Sequence, residues 1–186
     1  TGIVKIASYS LGTTATSFAI TNWYDPAYHS YEFVCDGFAQ TGDSGGAGII
    51  MEFADSGGTY RTSANNVQIY LDGSTYPPSS IHRRGLAVAT MDNDNVKEVY
   101  ANFKLWLPDN RTAVNRNKCI ISEYTALVGS PIATGVMYTR KYVNYFTYNA
   151  NVVTKIRFRA ADSTTTTSTS ASLRAGAKVI VYGRTF

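Results

Sequence analysis

Asp43, Ser44, Gly45 and Gly46, in "TGDSGGAG", have the types and order of a loop that presents a serine for acyl transfer. That chemistry needs a base within hydrogen-bond reach of the hydroxyl and a third group to orient the base. The chain has only two histidines, His29 and His82. His29, in "DPAYHSYEF", lies 15 residues before Ser44, and His82, in "SSIHRRG", follows it between two turn-like segments.

In chymotrypsin-type proteases the histidine stands far upstream, in an Ala-Ala-His-Cys-like segment that is absent here, and Gln40 replaces the cysteine usual before the serine loop. The same four residues also recur as Asp55, Ser56, Gly57 and Gly58 in "MEFADSGGTYR". A turn has reason to repeat within so short a span and a catalytic loop has none. Asp and Ser bond their own backbone and Gly supplies positive φ, so both copies are expected to be turns bracketing a strand with Ile49, Met51 and Phe53 on one face. No catalytic residue is assigned.

Metal chemistry has equally little to work with. Asp92 and Asp94, in "MDNDN", lack the spacing and distal Glu of a calcium loop and read as a polar turn. Cys35 and Cys119 have no Cys or His at zinc-ligand spacing. Both are expected to be free buried thiols, with one bridge between them left open. No metal and no cofactor is expected.

Three groups of residues could instead make contacts. Trp23, Tyr24 and Tyr28 are candidates for an aromatic platform that stacks a glycan. Tyr142, Tyr145 and Tyr148, in "MYTRKYVNYFTYNA", are read first as core or subunit-interface packing and second as stacking platforms for a sugar. Lys155, Arg157 and Arg159 alternate with Ile156 and Phe158, which gives a strand with a basic outer face suited to solvent or to a subunit contact. The net charge of +4 divides unevenly, with −5 in residues 1–60 and +9 in the remainder. No basic terminal arm accompanies that excess, and nucleic acid is not expected as a partner.

The elements that must position these residues are strands. A chain of 186 residues is expected to form one domain, residues 1–186. Its 14 tyrosines, 15 glycines and many Thr and Ser favour strands and turns. No run approaches the ~20 apolar residues of a membrane helix, so membrane insertion is not expected. The opening "TGIVKIASYS" has no basic segment followed by an apolar one, so no secretion signal is expected. Strands are expected at Val4–Leu11, Phe18–Ile20, Tyr31–Cys35, Ile49–Phe53, Val67–Leu71 and Leu86–Thr90. Val99 to Leu107 alternates most cleanly, and Cys119–Tyr124, Gly135–Thr139, Val152–Ala160 and Lys178–Tyr182 complete the set. Residues 162–172, "DSTTTTSTSAS", read as a mobile surface loop. About ten short strands between Gly, Pro, Asn and Ser turns make an all-β, antiparallel, jelly-roll-like β-sandwich.

The opening "KIASYSLGTTATSFAIT", with the following strand that carries Tyr31 and Phe33, resembles small β-sandwich virion proteins of tailed bacteriophages. "MEFADSGGTYRT", "EVYANFKLWLPDNR" with "NKCIISEY", and "VVTKIRFRAADSTTTTSTSASLRAGAKVIVYG" are similar to their later strand and loop segments. The chain departs from that pattern at "YPPSSIHRRG" and after Gly183. The resemblance implies a non-enzymatic structural protein on the particle exterior, made in the host cytoplasm, as a capsid decoration, fibre or tail-surface subunit. Its implied partners are other virion proteins and copies of itself, a trimer included. If 186 residues is the whole protein, attachment by the folded surface and a decoration role are expected. If it is part of a longer fibre, the expectation becomes a tip that binds a receptor or a host cell-surface glycan.

Overall fold

The computed structural model describes residues 2–41, 48–60, 67–70, 86–90, 98–111, 118–129, 136–146, 152–163, 166–167 and 172–185. Side chains that alternate between two environments build strands, because successive Cβ atoms leave opposite faces of the backbone. In chain order these are β1 (Ile3–Ser10), β2 (Ser17–Ile20), β3 (Ser30–Thr41), β4 (Gly48–Ala54), β5 (Val67–Tyr70), β6 (Leu86–Thr90) and β7 (Glu98–Leu107). There follow β8 (Lys118–Gly129), β9 (Val136–Phe146), β10 (Lys155–Ser163), β11 (Thr166–Thr167), β12 (Ser172–Leu173) and β13 (Lys178–Arg184). The described residues contain no helix, and every strand pairing is antiparallel.

Two sheets form a β-sandwich. The larger follows the order β1-β13-β3-β7-β8-β9-β5, with β12 also on β3. The smaller follows β11-β10-β4-β6, with β2 also on β10. The sheets meet through aromatic rings. Phe158 of β10 lies 5.0 Å from Phe38 of β3 and 5.6 Å from Phe103 of β7, centroid to centroid. Phe18 of β2 reaches Phe38 at 6.0 Å. Such tilted and edge-on pairs each add about 1 kcal/mol beyond the area they bury. Ile49, Met51 and Phe53 share this core, as the alternation of β4 requires.

A bulge in β3 reverses its phase. Tyr31, Phe33 and Cys35 point inward, then Phe38 does, because Cys35 opposes Phe103 while Phe38 opposes Ala101. Gly37 takes φ +65° there, and a Cβ at that position would sit 3.2 Å from the Gly176 carbonyl oxygen. Alternation alone ended this strand at Cys35, and the bulge carries it on to Thr41.

Further differences from the sequence reading concern extent and pairing. β8 and β9 run beyond Tyr124 and Thr139 because each pairs with the other along its length, from Lys118 opposite Phe146 to Val128 opposite Val136. The polar segment 162–172 is not wholly loop. Thr166 and Thr167 pair back onto β10, and Ser172 pairs with Thr41 of β3. The turn expected at the second Asp-Ser-Gly-Gly copy is present: Asp55 Oδ1 accepts the Gly57 amide at 2.9 Å, and its carbonyl accepts the Gly58 amide at 3.0 Å. Gly58 has φ +81°. Cys35 is a free, buried thiol, and burial pushes its pKa well up.

Candidate functional site

The outward side chains of the large sheet come into register as rows across its central strands. One row reads Tyr182, Glu32, Trp106 and Ile121 on β13, β3, β7 and β8. The next reads Ile180, Val34, Lys104 and Glu123. In the third, Lys178 opposes Asp36, and Asn102 opposes Thr125, which opposes Thr139 of β9. Rows of same-face residues on a strand are about 7 Å apart. The β3 bulge lies between Asp36 and Asn102, and Asn102 Oδ1 holds it by accepting the Gly37 amide at 2.9 Å.

These rows wall a groove of about 480 Å³, lined by Trp106, Lys104, Glu123, Asp36, Lys178 and Asn102 among others. Trp106 is half-buried and takes part in no ring contact among the described residues. Lys104, Lys178 and Asp36 are exposed, and none of the three is in an ion pair among the described residues. The groove therefore presents one indole with donors and acceptors of both charges around it.

The sequence candidates fall elsewhere. Trp23 is 2% exposed, packed edge-on against Tyr31 at 4.9 Å and Phe33 at 5.0 Å, so it offers no external platform. Tyr24 and Tyr28 are half-buried against the same core. The Tyr28 ring covers Gly183, where a Cβ would come within 2.5 Å of it. Aromatic clustering near "TNWYDPAYHS" marked the corner of a core. The signal for Trp106 was its phase in β7: it shares a face with Lys104 and Asn102, opposite to Phe103 and Leu105.

The other two groups separate as well. Tyr142 stands opposite Ser122 and Tyr70, and Tyr145 opposite Cys119 and Val67, all within the large sheet. Tyr148 lies outside the described residues, as do Asp43, Ser44, His82, Asp92 and Asp94. Arg157 and Arg159 are not an open basic face. Both turn toward Glu52 of β4, whose side chain has no exposed surface: Arg157 Nε donates to Glu52 Oε2 at 2.6 Å, and Arg159 stands 3.8 Å from Oε1. The Tyr60 ring covers the Arg157 guanidinium at 4.1 Å, and burial raises the Tyr60 pKa against the opposing pull of that cation. Lys155 is half-buried beside them on β10. Among the described residues no three His, Cys, Asp or Glu side chains gather as a metal site.

No protein-family model matches the chain, and no curated protein sequence matches it. Among solved structures it is similar to the SPBc2 prophage-derived protein YomS, at 11% identity and a TM-score of 0.32, over 98% of this chain and 96% of that one. It is also similar to a legume lectin-like domain from Entamoeba histolytica, at 9% identity and a TM-score of 0.26, over 98% and 84% of the two chains. A third likeness is to SCLam, a non-specific endo-β-1,3(4)-glucanase of family GH16, at 8% identity and a TM-score of 0.28, over 90% and 63%. Likenesses at these scores carry no argument about what this chain does.

Proposed function

We propose that this protein is a non-enzymatic structural component on the exterior of a phage particle, acting by contacts with other virion proteins and with copies of itself. The sequence resemblance to virion proteins supports the particle. The observation that carries the mode of action is the outer edge of β1. Among the described residues β1 pairs with β13 alone. Its Ile3 and Val4 are 58% and 46% exposed, the large apolar side chains most open to solvent among the described residues. An edge strand offers unpaired N–H and C=O groups to another chain, and apolar side chains beside them add burial to the pairing. Lys5, and the register shift between Lys5 and Ala7, limit that pairing to a partner whose shape allows for them.

The test is mass photometry of the purified chain, alone and with particles that lack it. Saturable binding in a fixed copy number is the expected result. A chain that ignores particles and adheres to host cells overturns the structural role in favour of host attachment. The groove beside Trp106 favours that second reading, because it offers a built site for a ligand that is not a strand.

A further inference from the structure

We infer that the groove on the outer face of the large sheet is a saccharide subsite, taking a neutral hexose chain with one ring stacked on Trp106; this deepens the host-attachment reading and rests on it. The indole is the first ground. Trp106 lines the groove half-buried and without a ring partner among the described residues, while Trp23 is enclosed by Tyr24, Tyr31 and Phe33. A tryptophan fixed on a central strand offers a flat apolar face and loses little side-chain freedom on binding. The C–H face of a pyranose is its shape complement, and stacking there sends the sugar hydroxyls sideways into the rows beyond.

Those rows hold what hydroxyls need. Lys104 and Lys178 donate, Asp36 accepts, and the Thr125 hydroxyl, bonded to that of Thr139 at 3.3 Å, keeps a lone pair that accepts. Asn102 has its Oδ1 engaged by the Gly37 amide, which fixes the side chain and leaves its NH₂ to donate. Hydroxyls both give and take hydrogen bonds, so they suit a set of mixed sign.

Charge selects against the alternatives. Lys104 stands opposite Glu123 and Lys178 opposite Asp36, so the two ammonium groups and two carboxylates that line the groove balance one another. An anionic polymer meets two carboxylates here and a cationic one meets two ammonium groups. A peptide added as a strand needs a free sheet edge, and β3, β7 and β8 are each paired on both sides. The 480 Å³ volume falls within the roughly 300–1,000 Å³ usual for small-ligand sites.

The chain's two tryptophans make a direct readout, one in the core and one in the groove. Maltohexaose, cellohexaose, laminarihexaose and chitohexaose are titrated separately while tryptophan emission is followed, with a heparin hexasaccharide as the acidic comparison. At least one neutral chain should give a saturable change that vanishes in Trp106→Phe, where Trp23 alone still emits. By calorimetry, Trp106→Ala and Asp36→Ala should each weaken that binding roughly tenfold, as expected for losing a stacking face or a directed hydrogen bond. Circular dichroism establishes that each variant is folded, and Asp36→Ala, at an exposed position, keeps the test open if Trp106→Ala is not. The inference is overturned if no neutral chain binds, if heparin binds more tightly than all of them, or if binding survives in the folded variants. A chain that adheres to host cells but takes no saccharide removes the groove assignment and leaves host attachment standing, whereas one that docks on particles and ignores cells removes host attachment itself.

Discussion

Glu52 stands on the face of β4 that turns away from the intersheet core, between Ile50 and Ala54, and all three are buried. A carboxylate with no exposed surface costs several kcal/mol unless a partner meets it, and Arg157 does so from directly across the strand pair. The two partners differ in what each leaves behind. Arg157 keeps 24% of its side chain in solvent, so it can rehydrate, whereas Glu52 cannot. Arg157→Met should therefore cost about 3 kcal/mol in urea unfolding, and Glu52→Leu combined with Arg157→Met should recover most of it. If the double variant is no more stable than the single, the pair is not the reason Glu52 is tolerated there. Tyr31 makes a second prediction at this scale. Its hydroxyl donates to the Asp25 carbonyl at 2.6 Å, and burial raises its pKa from 10.0 to about 12. Between those values the unfolded chain releases the phenolic proton and the folded chain keeps it, so this contribution is whole below pH 10 and fades as pH rises toward 12. It amounts to roughly 2–3 kcal/mol. Wild type should lose that much more stability than Tyr31→Phe across the interval, and parallel pH profiles would refute the assignment.

At the scale of elements, the bulge in β3 decides which residues of one strand reach the core and which reach the groove. Asp36 faces outward in phase with Val34, while Phe38, one place later than alternation would give, faces inward. Gly37→Ala should cost about 1–2 kcal/mol by urea unfolding, since an L side chain is strained at that φ and its Cβ crowds Gly176. A loss below about 0.5 kcal/mol would mean the loop relaxes freely. The bulge also marks how far the sequence could be read. Val99 to Leu107 was legible because a strand with one face in the core writes its phase into the order of residues. β3 was legible only to Cys35, since a bulge breaks the pattern it belongs to. β11 and β12 carry no apolar alternation; their pairing comes from β10 and β3, which the local composition does not encode. Glu52 lies 105 residues from Arg157, so neither the ion pair nor its effect on the basic strand could be seen from spacing. The groove was hidden for a similar reason: Trp106, Asp36 and Lys178 belong to three strands that only the pairing order brings together.

At the scale of the molecule, the large sheet offers two surfaces of different character. Its outer face holds the groove, whose lining charges balance, and its β1 edge exposes Ile3 and Val4 and lacks a further strand among the described residues. The β1–β13 pairing, from Ile3 opposite Arg184 to Ser10 opposite Lys178, places both surfaces on one sheet, with Ile180 and Lys178 linking edge to groove. A partner seated on the β1 edge adds a strand without covering Trp106, which is three strands away in the order β1-β13-β3-β7. Docking and ligand binding should then be separable by substitution. Val4→Lys puts a charge on an exposed edge position, where the folded chain should lose no more than about 0.5 kcal/mol. Its binding to particles lacking the protein should fall at least roughly tenfold, the effect of withdrawing a buried apolar side chain from an interface. Trp106→Phe should dock as wild type does. If Val4→Lys docks normally and Trp106→Phe does not, the particle is held by the sheet face, and the β1 edge is not the contact surface.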